Sequence, residues 1–144
     1  MIALEGPDTH AFLQGLISND LDRMASDRAL YAALLTPQGK FLFELILARS
    51  GERVLIDTER DRVPALIQRL MLYRLRAAVE IADVSDDVHV AALLADDLPA
   101  RLGLPAEAGA CRAVEGGGLV MIDPRLPELG GRALLGPDVP PDRL

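Results

Sequence analysis

The sequence predicts an α+β fold in which an antiparallel sheet carries packed helices, and three observations lead there. Two strand-like runs, residues 30–36 and 41–49, flank Pro37-Gln38-Gly39-Lys40. Proline presets φ and glycine tolerates φ > 0, so residues 30–49 read as a β-hairpin. Ser50-Gly51-Glu52 makes a second tight turn before a third strand over 53–57, which extends the hairpin into a meander. Val63, Leu66, Ile67, Leu70 and Met71 then follow the i, i+3, i+4, i+7, i+8 spacing of a buried helical stripe. Strands at about 78–83 and 88–94 complete a β-β-β-α-β-β order, which is an antiparallel sheet with a helix on one face and not a doubly wound sheet.

The remaining elements follow from punctuation. Gly6-Pro7 precedes Asp8, a good N-cap for a helix over about 9–17 with Phe12, Leu13 and Leu16 on one face. Ser18-Asn19-Asp20 interrupts it, and a second helical turn over 21–25 is expected. Thr58 or Asp61 caps the long helix. Pro64 falls in its first turn if Asp61 is the cap, and the helix ends near Tyr73-Arg74. Beyond Leu94 the pattern predicts a short helix at 97–104, strands at 111–114 and 119–122 around Gly116-Gly117-Gly118, and a strand at 131–135. Asp123-Pro124-Arg125 ends the 119–122 strand. Residues 136–144 read as a polar, Pro-rich connector.

Half of the 144 residues are apolar, enough for one domain or a small domain plus part of a second. With three Phe, two Tyr and no Trp, the core has to be aliphatic. Fifteen basic against 22 acidic residues give a net charge of −7, poor equipment for nucleic-acid binding. Arg60, Arg62, Arg69, Arg74 and Arg76 concentrate in one stretch that suits a small anion. Cys111 is the single cysteine, so the chain alone makes no disulfide or cysteine metal cluster. No apolar run approaches a membrane span, and residues 1–8 lack the features of a secretory leader, so a cytoplasmic location is expected. The sequence has no P-loop, dinucleotide fingerprint, zinc-ligand spacing or nucleophile elbow, and no catalytic or metal-binding residue is assigned. Gly116–Gly118 reads as a hairpin loop, His10 and His89 as surface or capping residues, and Cys111 as a small buried apolar residue.

Three places carry potential chemistry. Ser18-Asn19-Asp20 is either a helix break that satisfies orphan backbone donors or a polar wall of a ligand pocket. Glu44 is the one charge within residues 41–48, so it meets solvent, a cationic partner or a ligand donor. Arg74 and Arg76 complement a helix dipole or hold a carboxylate in a bidentate grip.

The ordered segments Gly6-Pro7-Asp8, Phe12 to Asp20, Tyr31 to Lys40, Leu55-Ile56-Asp57, Met71 to Arg76, Asp123-Pro124-Arg125 and Gly130-Gly131-Arg132 resemble the front part of YgfZ-type folate-binding proteins. These are relatives of the glycine cleavage system T-protein, an aminomethyltransferase. The resemblance implies a T-protein-like architecture, incomplete here, with a ferredoxin-like middle subdomain beside a folate channel. It divides the chain into an N-terminal helical segment (1–27), a ferredoxin-like α+β subdomain (28–108), and strands that return to the first subdomain with the Pro-rich end (109–144). It implies a tetrahydrofolate-binding accessory protein for iron–sulfur cluster assembly or repair, linked to tRNA-modifying enzymes. The expected partners are folate and iron–sulfur client or assembly proteins, with no membrane and no direct nucleic acid.

Asn19, Asp20, Gln38, Lys40 and Glu44 are expected to line the folate channel, with Arg74 or Arg76 steering the glutamate tail. T-proteins carry two acids where this chain has Phe43-Glu44. The family's cysteine-bearing Lys-Gly-Cys-Tyr-x-Gly-Gln-Glu segment lies beyond residue 144, so a partial chain without independent activity is expected. The alternatives are an aminomethyltransferase and a non-catalytic interaction module that self-associates through surface left bare.

Overall fold

A computed structural model describes residues 1–140 of the chain. Pro141, Asp142, Arg143 and Leu144 of the expected connector lie outside the described residues. The elements in chain order are β1 (Ile2–Glu5), α1 (Thr9–Gln14), β2 (Leu30–Leu35), β3 (Phe41–Ser50), β4 (Arg53–Asp57), α2 (Val63–Arg74), β5 (Glu80–Asp83), β6 (His89–Leu93), α3 (Leu98–Leu102), β7 (Cys111–Ala113), β8 (Gly118–Ile122) and β9 (Gly131–Leu135). They form a five-stranded sheet, β2-β3-β4-β1-β5, and a four-stranded sheet, β6-β9-β8-β7. Every pairing between these strands is antiparallel. No described helix is long and apolar enough to cross a membrane.

Strand periodicity builds the layers. Leu30, Ala32 and Leu34 of β2 and Phe43, Leu45 and Leu47 of β3 are buried on one face, where Val63, Leu66 and Leu70 of α2 pack on them. The opposite face presents Ala3, Ile46, Ala48 and Leu55 to Cys111, Leu119, Met121 and Leu134 of the second sheet. Leu98 and Leu102 of α3 close the far side against Val120, Ile122, Ala133 and Leu135. The order is therefore α2, first sheet, second sheet, α3. Each fully buried Leu or Ile in these layers contributes about 1.5–3 kcal/mol. Cys111 belongs to the inter-sheet layer, and burial pushes its thiol up to about 11, so it stays protonated.

The hairpin, the meander and the antiparallel sheet with a helix packed on it stand as the sequence predicts, but the sheet's membership differs. Residues 2–5 pair with both β4 and β5 in the sheet interior, although the sequence showed no strand there. β6 leaves this sheet and pairs with β9. The edge beyond β5 stays open, and the Val84–Val88 turn carries the chain across to the second sheet. The glycine at position 6 permits the return of β1: it holds φ +130, and a Cβ there would lie 2.2 Å from the Ala78 carbonyl oxygen.

α1 stops at Gln14, short of the expected residue 17, because the edge of β2 captures the chain. Ile17 bridges Leu34, and the Ser18 N–H donates to the Ala33 carbonyl. Neither Thr58 nor Asp61 caps α2. Thr58 donates its hydroxyl proton to the Glu44 carbonyl at 2.9 Å, and a 3-10 turn at Arg60–Arg62 leads into the helix. The apolar stripe of α2 narrows to Val63, Leu66 and Leu70, with Ile67 half-buried and Met71 exposed.

Leu75, just past α2, is the one described non-glycine residue with positive φ (φ 45, ψ −107), and it is 86% exposed. This conformation costs a leucine about 1 kcal/mol or more, and its side chain has little packing to lose. Leu75→Gly is expected to raise unfolding stability by about 1 kcal/mol, read as a higher urea midpoint at unchanged slope. A lower midpoint would contradict the strain.

Candidate functional site

Alternation along β3 decides which side chains can form a site. Phe43, Leu45 and Leu47 face α2, whereas Glu44, Ile46 and Ala48 face the second sheet. The β2–β3 hairpin outruns that second sheet, so Glu44 emerges where the covering layer stops. Its cross-strand partner is Ala33, flanked on the same face by Tyr31, opposite Ile46, and by Leu35, opposite Phe41. Tyr31, Leu35 and Phe41 are 38%, 36% and 59% exposed, and a bulge between Leu34 and Leu35 brings Phe41 opposite Leu35. Asp57, at the end of β4, pairs with Ile46 and shares that face.

The second sheet supplies the cations. Asp123 follows β8 directly, and its N–H donates to the Gly130 carbonyl, closing the loop that carries Arg125 back over the sheet edge. A Cβ at Gly130 would lie 2.3 Å from the Leu93 carbonyl oxygen, so only glycine lets this loop close against β6. Arg132 projects from β9 next to it.

These side chains form a continuous ladder of alternating charge. Arg125 Nη1 donates to Glu44 Oε1 at 3.0 Å, while its Nε and Nη2 grip Asp123 Oδ1 and Oδ2 at 2.9 and 2.7 Å. Arg132 Nη1 donates to Asp57 Oδ2 at 2.7 Å, and its Nε lies 3.5 Å from Asp123 Oδ2. Glu44, Ile46, Asp57, Thr58, Glu59, Arg125 and Arg132 line a cavity of about 300 Å³. An adjoining hollow of about 370 Å³ shares Asp57 and Thr58 and adds Arg60, Ser85 and His89.

The two inner carboxylates behave oppositely. Burial pushes the Asp57 carboxyl above its ordinary value, and its single arginine hydrogen bond and charge only partly oppose this. Burial also acts on Asp123, but three hydrogen bonds from Arg125 together with the charges of both arginines outweigh it and hold the carboxyl low. The cavity thus offers arginine donors and carboxylate acceptors side by side. Among the described residues Glu44 Oε2 takes no hydrogen bond. No described cluster of three or more His, Cys, Asp or Glu is arranged to hold a metal ion.

The side chains singled out from the sequence divide between two faces of one sheet. Glu44 lines the cavity and has the cationic partner that its position in an apolar run allowed. Phe43 points the other way, under the Arg62 guanidinium at 4.4 Å, so alternation admits only one of positions 43 and 44 to the cavity. Asn19, Asp20, Gln38, Lys40, Arg74 and Arg76 do not line it. Asn19 donates to the Tyr31 carbonyl at 2.8 Å and accepts from the Asp20 N–H. Asp20 caps the Leu21–Arg23 turn through the Asp22 N–H and accepts from Gln14, contacts that hold its carboxyl below the ordinary value.

Gln38 and Lys40 are exposed in the hairpin turn, Arg74 donates to the Val79 carbonyl at 3.3 Å, and Arg76 is exposed. The polar break, the hairpin and the helix end do meet: Ser18, Thr36, Pro37 and Tyr73 share a separate hollow of about 250 Å³. Asp57, Asp123, Arg125 and Arg132 were missed as site residues. All four fall in segments that carry the family resemblance, Leu55-Ile56-Asp57, Asp123-Pro124-Arg125 and Gly130-Gly131-Arg132, but no site role was read for them.

No family model matches the chain. Its sequence is 27% identical over 148 residues to the mitochondrial iron–sulfur cluster assembly factor IBA57 homolog of Mycosarcoma maydis, covering 94% of this chain and 34% of that protein. It is 29% identical over 154 residues to the mitochondrial iron–sulfur cluster assembly factor IBA57 of Mus musculus, covering 97% and 42%. The chain thus spans well under half the length of these relatives. Its structure is similar to glycine cleavage system aminomethyltransferase T from Bartonella henselae, with a TM-score of 0.72, 19% identity, and coverage of 94% of this chain and 39% of that one. The T-protein-like fold stands over the 39% of that structure the chain covers. The cytoplasmic expectation is withdrawn, because these sequence relatives are mitochondrial by name. That expectation rested on the character of residues 1–8, and the packing of this fold carries no information about compartment.

Asp123 is 2% exposed and pairs with Arg125 at 2.7 Å with Arg132 3.5 Å away, so Asp123→Asn is expected to cost about 3 kcal/mol of stability at pH 7. The sign follows from its depressed carboxyl. The stabilisation is fully present above the unfolded value near 3.8 and is lost as pH falls through the lower folded value. The difference between wild type and Asp123→Asn should therefore shrink below about pH 4, measured by urea unfolding across pH. A constant difference down to pH 2 would refute the ladder's charge.

Proposed function

We propose that this chain is the folate-binding front part of a YgfZ- or IBA57-like accessory factor, which holds tetrahydrofolate at the Glu44 cavity and serves iron–sulfur assembly or client proteins. One observation carries the reading: Glu44, one oxygen of which takes no hydrogen bond among the described residues, lines a cavity together with Arg125 and Arg132. A reduced pteridine presents adjacent N–H donors and a carbonyl acceptor on a flat ring. Glu44 would accept from the donors and Arg125 would donate to the acceptor. Arg60, in the adjoining hollow, is better placed for the carboxylates of a glutamate tail than Arg74 or Arg76, which line neither hollow. The names of the IBA57 relatives support the iron–sulfur role.

A second reading, aminomethyl transfer, draws on the same geometry. Position 43 points away from the cavity, so the phenylalanine there does not remove an acid from it. A turnover assay with a lipoyl carrier protein separates the two readings, because binding without turnover leaves the accessory role.

Titration with 5-formyltetrahydrofolate tests the reading. Glu44→Gln is expected to weaken binding about tenfold or more, the loss of a charge-assisted hydrogen bond. Equal affinities for wild type and Glu44→Gln would end it.

A further inference from the structure

We propose that Asp123 is a positioning residue for the ligand site, keeping one oxygen of Glu44 open by holding Arg125 away from it; this rests on the folate reading above. Asp123 does not line the cavity. It accepts from the Arg125 backbone N–H at 3.0 Å and from the Arg125 Nε and Nη2 at 2.9 and 2.7 Å, and Arg132 Nε lies 3.5 Å away. Arg125, held in this way, has Nη1 left for Glu44, while Arg132, near Asp123 without a hydrogen bond to it, gives its Nη1 to Asp57.

Arginine prefers to meet a carboxylate with two parallel N–H donors. With Asp123 present, the fork of Arg125 is already committed, and Glu44 receives a single bond through Oε1. Without Asp123 the fork is free to rotate onto Glu44 and engage both oxygens, which withdraws the acceptor a donor-bearing ligand needs. Pro124 supports the arrangement. It fixes φ and contributes no N–H, so the first backbone donor the turn offers Asp123 Oδ1 is the Arg125 N–H, beside the Arg125 Nε. Asp123 thereby sets selectivity for ligands with a hydrogen-bond donor edge, while making no contact with them.

The test compares wild type, Asp123→Asn, Arg125→Lys, Arg125→Gln and the Asp123→Asn/Arg125→Gln double variant, all titrated with 5-formyltetrahydrofolate. Asp123→Asn and Arg125→Lys are each expected to weaken binding about tenfold, because lysine keeps the charge and loses the fork. In the Arg125→Gln background Asp123→Asn should change affinity less than about twofold, since the residue through which it acts is gone. A purely structural aspartate would lower stability without this coupling.

Arg125 lies partly at the surface, so Arg125→Lys keeps the test decisive if Asp123→Asn fails to fold. A ligand-free measurement accompanies it: the Arg125 Nε–H resonance should exchange slowly with solvent in wild type and fast in Asp123→Asn. Wild-type affinity in Arg125→Lys, an undiminished Asp123→Asn effect in Arg125→Gln, or unchanged Nε–H exchange each overturns the proposal. A wild-type chain that binds no folate but shows the expected exchange defeats the folate reading and leaves the positioning of Arg125 standing.

Discussion

The site depends on one carboxylate, Asp123, which leaves water at the end of a strand and is shared by two arginines. It joins two ion pairs into a five-residue ladder, Glu44–Arg125–Asp123–Arg132–Asp57, that runs from β3 to β4 by way of the second sheet. The outer rung, Arg125–Glu44, is 30% and 39% exposed, and a pair so hydrated contributes about 0–1 kcal/mol. The inner rungs are different, because a buried carboxylate without its partners carries the full desolvation cost. The ladder therefore does more to fix geometry than to add stability. It holds the hairpin face and the loop after β8 at one separation, and that separation is the cavity.

The hydrophobic layers set where such a ladder can exist. The first sheet is buried on both faces through most of its width, by α2 on one side and by the second sheet on the other. Only where the β2–β3 hairpin extends past the second sheet does one face meet solvent while the chain stays rigid. A carboxylate on β3 at that boundary reaches solvent while its strand holds its direction. Asp57 sits further in, where burial raises its carboxyl and a single arginine does not fully compensate. The gradient from Glu44 to Asp57 runs from hydrated to dry within one cavity.

The two faces also explain why plausible site residues part company. Asn19 and Asp20 close the break after α1 through short-range bonds, and Arg74 closes the turn after α2. All belong to the α2 side or to the outer edge of β2. Glu44 lies across the sheet from them, and a sheet separates its two faces by the full thickness of a buried layer. The hollow that joins Ser18, Pro37 and Tyr73 is real, but it is not the one Glu44 enters.

By itself the sequence determined the local elements. The period-2 runs around Pro37-Gln38-Gly39-Lys40, the turn at Ser50-Gly51-Glu52, the stripe from Val63 to Leu70 and the glycine hairpin at 116–118 all follow from sterics and patterning over a few residues. It also marked Glu44 as a lone charge that had to meet solvent, a cationic partner or a ligand donor. The tertiary structure decided which strands share a sheet: β1 fills an interior position, β6 crosses to β9, and Arg125 and Arg132 reach Glu44 and Asp57 from 81 and 75 positions away. The reason is physical. Periodicity is set by each residue's immediate neighbours, whereas strand pairing and ion pairing are won by competition among distant segments for the same backbone edges and charges, and no local pattern records the outcome.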